Sequence, residues 1–271
     1  MLPGVYSASK KNQEFYYRAS VTYMGKHISL GSFKTENDAH AAYMLAREVL
    51  YNSDKWSIEK YPENCLLAFG KWVSLVNVRD NGIYFKNPIY LKKRYFLYYI
   101  DRDLVLKFDV DDLFYYARHK ILRRRGRLFT SEYGMQTSIF TRYGIKNYAV
   151  PGKDFRFING DSTDFRYSNI EIINRYHGVS KRFKKNIPVY LAKININGYY
   201  IIGRYTTEEE AAIAYNKAVN ILRDKGLSKN FPQNYIDGLD EITYAAIYQR
   251  IRISRKILEF ELENKHETGK Q

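Results

Sequence analysis

The sequence predicts an α+β protein. Two observations carry that prediction: a stretch near each end in which apolar alternation gives way to a helical apolar stripe, and a middle segment whose apolar runs suit further strands and a helix. The end stretches are copies of one another. Residues 4–50 read "GVYSASKKNQEFYYRASVTYMGKHISLGSFKTENDAHAAYMLAREVL", and residues 178–222 read "GVSKRFKKNIPVYLAKININGYYIIGRYTTEEEAAIAYNKAVNIL". Gly-Val opens both, Gly25 and Gly198 mark a turn in each, and "LGSFKTENDAHAAY" lies over "IGRYTTEEEAAIAY".

Each copy begins with alternation. Tyr17, Ala19 and Val21 point one way, and Tyr16, Arg18, Ser20 and Thr22 the other. In the second copy Tyr190, Ala192, Ile194 and Ile196 form the inward set, and Lys193, Asn195 and Asn197 the outward one. A glycine turn and a further strand complete an antiparallel meander. The period then lengthens. Ala39, Tyr43, Ala46 and Leu50 fall on one helical stripe, as do Ala211, Tyr215, Ala218 and Leu222. Thr35 and Thr207 stand as N-caps, and Glu210 completes a capping box. Each copy is thus a three-stranded sheet packed by one face on one helix, with its other face open.

Between the copies, "GKWVSLVNVRDNGIYFKN" (70–87) and "RYFLYYIDRDLVLKFDVDDLFYYARHKILRRRGRLF" (94–129) suggest strands, then a helix starting near Asp111, then a basic run. After the second copy, Ile242, Ala246, Ile247, Ile251 and Leu258 have helical spacing within 240–265, so a C-terminal helix is expected, with "HETGKQ" frayed beyond it. The expected segments are 1–52, 53–175, 176–226 and 227–271.

The repeated unit resembles the AP2 DNA-binding domain. The likeness rests on the opening "GV", the alternating "YRASV" and "YLAKI", and above all "LGSFKTENDAHAAY" and "IGRYTTEEEAAIAYNKA". It implies that the sheet's outer face enters a DNA major groove. By position it points to His177, Ser180, Arg182, Lys193, Asn195, Tyr199 and Ile201 in the second copy. In the first it points to Arg18, Ser20, Thr22, His27 and Ser29. Both copies lack the plant family's tryptophans and most of its arginines, so the plant target sequence does not carry over.

The segment "RFINGDSTDFRYSNIEIIN" resembles the ββα-metal finger of HNH homing endonucleases, which often carry AP2 modules. It keeps Asn159, Gly160, Asp161, Asp164, Arg166 and Asn169, the last matching that family's metal-ligand asparagine. Arg156 and Phe157 occupy the two histidine places. Phenylalanine cannot accept a proton from water, and a guanidinium cannot ligate Mg²⁺ and repels it. Losing a general base alone costs roughly 10²–10⁴ in rate. The expected architecture is therefore two AP2-like units flanking a degenerate HNH-like centre, with a C-terminal helix.

Charge points the same way. With 44 Lys+Arg against 29 Asp+Glu the chain carries +15, which favours a polyanion. No run of about 18 apolar residues occurs, so membrane insertion is not expected. A lone Cys65 builds no disulfide framework and no cysteine zinc site, which suits a reducing cytoplasm, nucleoid-associated in a bacterial host. His27, His40, His119, His177 and His266 are too scattered for a metal site, and no cofactor motif is present.

The expected function is sequence-specific double-stranded DNA binding without cleavage, as a phage or mobile-element transcriptional regulator or repressor. Readout falls to Arg182, Lys193 and Asn195 in the second copy and Arg18 and Ser20 in the first, with Thr22, His27, His177 and Tyr199 beside them. Arg123, Arg124, Arg125, Arg127 and Arg156 would hold phosphates. A homodimer through the C-terminal helix is a further expectation. The competing readings are an active homing or nicking endonuclease with displaced ligands, and an inhibitor of a host defence protein.

Overall fold

The computed structural model describes residues 1–9, 14–132 and 134–261, so the tail 266–271 and His266 lie outside the described residues. The chain is α+β, built from several small three-stranded antiparallel sheets and a few helices. It forms two compact units, residues 1–139 with 157–170, and residues 140–156 with 171–271.

In the first unit, β1 (Val5–Ser9), β2 (Phe15–Tyr23) and β3 (Lys26–Phe33) form an antiparallel sheet in chain order. Met24 and Gly25, at φ 48 and 72, make the turn between β2 and β3. Two successive positive φ values match the right-handed strand twist, hence the tight hairpin. Helix α1 (Glu36–Tyr51) is capped by the Thr35 hydroxyl, which accepts from Asp38 N at 3.1 Å. Ala39, Ala42 and Ala46 are wholly buried against the sheet, because only a methyl fits so close an approach.

The stretch Phe69–Asn81 is a helix, α2, where strands were expected. Seven consecutive residues, Trp72 to Val78, are buried in it. A helix buried on all sides over two turns, Ser74 and Asn77 included, shows no clear amphipathic period, and its three valines mimic a strand. Gly82 ends it at φ 72, its N–H bonded to the Val78 carbonyl.

Strands β4 (Ile89–Leu91), β5 (Tyr95–Tyr99) and β6 (Val105–Asp109) follow as a meander. The helix expected near Asp111 is present as a 3-10 turn, Val110–Asp112, and α3 (Leu113–Arg118). The basic run folds into β7 (Ile121–Arg124) and β8 (Arg127–Glu132), which pair with β9 (Met135–Ser138). Arg125 and Gly126, at φ 50 and 76, turn the β7–β8 hairpin. Residues 163–165 run beside β6: Lys107 N donates to Thr163 O at 2.9 Å and Phe165 N to Lys107 O at 2.7 Å. Phe165 there stacks on Phe108 at 5.4 Å, which also meets Tyr116 at 4.4 Å.

A short ribbon, β10 (Phe155–Phe157) with β11 (Ile170–Ile172), spans both unit boundaries in sequence. The second unit then repeats the opening motif: β12 (Val179–Lys184), β13 (Ile187–Asn195), β14 (Tyr199–Tyr205) and α4 (Glu208–Asp224). Lys185 and Asn186, at φ 50 and 62, form its first turn. Thr207 caps α4 by accepting from Glu210 N at 3.1 Å. The capping box is not closed: the Glu210 carboxylate accepts instead from the Thr206 hydroxyl at 2.8 Å.

The two copies agree in a detail invisible to sequence alternation. Ala19 pairs with Gly31 and Ser20 with Ser29, leaving Leu30 as an extra residue. Ala192 pairs with Gly203 and Lys193 with Ile201, leaving Ile202. Both extra residues are buried, so the bulge adds an apolar side chain to each core and twists each sheet.

The single C-terminal helix is instead two, α5 (Glu241–Arg250) and α6 (Arg255–Leu258). Ile251–Ser254 run between them without helical structure. Tertiary bonds outcompete the next helical turn: the Lys217 ammonium donates to the carbonyls of Tyr248, Gln249 and Ile251, and Ser254 N donates to Ile202 O at 2.7 Å. Ile251 and Ile257 join the core, whereas Ile242 stays 84% exposed.

Candidate nucleic-acid interface

On the second sheet, cross-strand pairs place Ser180, Leu191 and Arg204 on one line and Arg182 beside Val189, all on the face away from α4. Lys193, opposite Ile201, and Asn195, opposite Tyr199, continue that face. Arg182, Asn195, Tyr199 and Ile201 are exposed and Lys193 is half-buried, its ammonium 4.4 Å from the centre of the Tyr199 ring. A shallow hollow of about 480 Å³ is lined there by Arg182, Lys184, Val189, Leu191 and Arg204 with Phe183. Arg182, Lys184 and Arg204 form no ion pair among the described residues. Sequence reasoning missed Arg204, because only the bulge register sets it across from Leu191.

Two expected readers on this sheet are placed differently. Ser180 is only 5% exposed and its hydroxyl is buried without a partner among the described residues. His177 is half-buried: its N–H donates to Asn234 at 2.7 Å, and its ring packs edge-on to Tyr148 and Tyr215. Burial holds the His177 ring below the ordinary histidine range; Asp154 pushes it up and Lys153 down.

On the first sheet, Arg18, Thr22, His27 and Ser29 are exposed, and Arg18 lies over the Tyr16 ring at 5.6 Å. Ser20 corrects an expectation. It is 7% exposed at the bulge, its N–H is bonded to Gly4 O at 3.0 Å, and it cannot reach a base as it stands. In the β7–β8 hairpin Arg123, Arg124, Arg125 and Arg127 are all exposed. Arg123 lies 3.8 Å from Asp101, and the other three form no ion pair among the described residues. The tight turn gathers these guanidinium groups at one end of the ribbon.

The finger-like loop 158–169 is held by its own polar side chains. Asn159 accepts from Asp161 N at 2.8 Å, and Asp161 accepts from the Thr163 N–H and hydroxyl. Asn169 is buried, and its amide donates to the carbonyls of Asp161 and Asp164 while its oxygen accepts from Asn159 N at 2.9 Å. Three bonds tie up the side chain that the resemblance pairs with a metal ligand. Asp164 receives Arg166 through two bonds of 2.9 and 2.6 Å, with Lys107 at 3.8 Å. Burial pushes its carboxyl up, but the Arg166 bonds and both cations outweigh this and hold it below the usual carboxylate range. Phe157 packs edge-on to Phe165 at 5.7 Å, and exposed Arg156 pairs with Glu171 at 2.5 Å. Among the described residues no three His, Cys, Asp or Glu gather as metal ligands, and no helix is long and apolar enough to cross a membrane.

What the arrangement offers chemically is exposed cation, amide and aromatic surface on strands. Comparison with protein-family models, curated proteins and solved structures finds no match for this chain.

Proposed function

We propose that this chain binds double-stranded DNA in a sequence-selective way and does not cut it, acting as a regulator of transcription. One observation carries the reading: a strand face presenting Arg182, Lys184 and Arg204 without ion pairs among the described residues, next to Asn195 and Tyr199. Cations left unneutralised on a sheet, in a chain of charge +15, suit phosphate contact. Amide and aromatic groups among them suit base edges. The resemblance to AP2 modules supports the same docking mode.

The absence of cleavage rests on chemistry. Phe157 offers no proton acceptor, Arg156 offers no metal ligand, and the Asn169 amide is already engaged within its loop. The test selects bound duplexes from a random pool and incubates the winner with Mg²⁺ or Mn²⁺. A recovered consensus with uncut product is the expected outcome. Binding that ignores sequence would overturn selectivity, and a nicked strand that disappears in Asn169→Ala would overturn the lack of cleavage.

A further inference from the structure

We propose that Asn197, in the turn between β13 and β14, is a site of spontaneous conversion to aspartate and isoaspartate. The chemistry needs no enzyme. The backbone nitrogen of the following residue attacks the asparagine side-chain carbonyl carbon, loses its proton, and expels ammonia. Water then opens the cyclic imide at either carbonyl, so the sum is a water taken up and an ammonia released. Glycine in the following place puts no side chain in the way of the attack.

Asn-Gly pairs occur at 81–82, 159–160 and 197–198, and the sequence ranks them alike. The fold separates them. Gly82 N is held at the end of α2 by the Val78 carbonyl at 3.0 Å, and the Asn81 amide donates to Asn77 and to the Leu91 carbonyl. Gly160 N donates to the Phe157 carbonyl at 3.1 Å, and the Asn159 amide to Asp164 at 3.2 Å. In both pairs the attacking nitrogen and the leaving amide are bonded, and those bonds must break before the ring can close.

The third pair is different at every reacting atom. Asn197 and Gly198 are exposed. Among the described residues neither the Gly198 N–H nor the Asn197 side-chain nitrogen donates a hydrogen bond. The Asn197 side-chain oxygen accepts from the Tyr200 hydroxyl at 3.2 Å. That oxygen gains negative charge when the carbon is attacked, so the phenol is placed to stabilise it. Nucleophile, leaving group and carbonyl all favour closure here, and at neither of the other pairs.

The turn's position gives the product a consequence. Asn195 pairs with Tyr199 across it, and the Ile196 N–H donates to the Gly198 carbonyl at 3.1 Å. Isoaspartate lengthens this backbone by one carbon. Both products add a carboxylate close to Asn195, Tyr199 and the Lys229 ammonium, which holds the Asn195 and Ile196 carbonyls. On the DNA reading above, that charge repels phosphates and weakens duplex binding as the protein ages. The consequence rests on that reading; the conversion does not.

Ageing the full chain at mildly alkaline pH, with peptide mapping for isoaspartate, tests the assignment. In the folded chain Asn197 should convert about tenfold faster than Asn81 or Asn159, whereas in urea the three rates should agree within about threefold. Tyr200→Phe removes a single oxygen and should slow the folded rate about threefold while leaving the urea rate unchanged. Melting curves confirm that the variant folds. An Asn197 that stays intact, or an Asn81 or Asn159 that converts as fast in the folded chain, overturns the assignment. A parent-like rate in Tyr200→Phe overturns the role given to the phenol. Asn197→Asp isolates the consequence, with a duplex affinity about threefold lower expected. An unchanged affinity, with conversion still seen, counts against DNA at this turn and leaves the modification standing.

Discussion

At the scale of single residues, the loop 158–169 shows how polar side chains can replace a core. Asn169 satisfies two carbonyls and one N–H from inside the loop, so Asn169→Ala leaves all three without those partners. A loss of about 1–3 kcal/mol is expected by urea unfolding. Asp164 sets an acid limit. Its carboxyl is held below the ordinary value of about 3.9, so its contribution is complete above that value and disappears as pH falls through the folded one. Melting temperature followed from pH 6 downward should therefore fall more steeply in the parent than in Asp164→Asn. The resemblance to the HNH finger pointed to 159, 161, 164 and 169 as one group. It did not show that Asn169 points into the loop's own backbone, because that depends on a turn closing over ten residues.

At the scale of elements, the repeats were legible because two periods and two threonine caps recur in the same order. Their fine structure was not. A bulge shifts pairing without altering the amino-acid pattern, so Ser20 was counted among the readers and Arg204 was not. Helix α2 was hidden by its own burial, and the C-terminal helix was split by bonds from Lys217 and Ile202, which lie far away in sequence. The repeat also fixes two glycines. Gly178 sits at φ 74, and a Cβ there would meet the Tyr215 ring and lie 2.6 Å from the Lys193 carbonyl; Gly4 meets Tyr43 in the same way. Gly25 has φ 72 but nothing within 4 Å. Gly178→Ala should thus cost about 2–5 kcal/mol, from backbone strain plus overlap, against about 1–2 for Gly25→Ala. Chemical denaturation of the pair separates the two contributions.

At the scale of the whole molecule, charge decides the affinity and the sheet decides the choice of sequence, if the proposed function holds. Arg124→Ala should weaken every duplex about equally and reduce the salt slope by about one, whereas Lys193→Ala should relax base preference. Fluorescence anisotropy on matched and scrambled duplexes over a salt series measures both, and a changed preference in Arg124→Ala would reverse the assigned roles. Neither compact unit is continuous in sequence: 157–170 belongs with 1–139, and 140–156 with 171–271. Fragments cut at 139 or 171 each lack a piece, and both should be digested by protease faster than the intact chain. The same interleaving governs the order in which the molecule can be completed during synthesis. When residue 139 leaves the ribosome, Phe108 and Tyr116 still await Phe165, and the stretch made in between must itself wait for the chain beyond 171. A translational pause in that window strands an open aromatic surface, the kind of intermediate that chaperones capture.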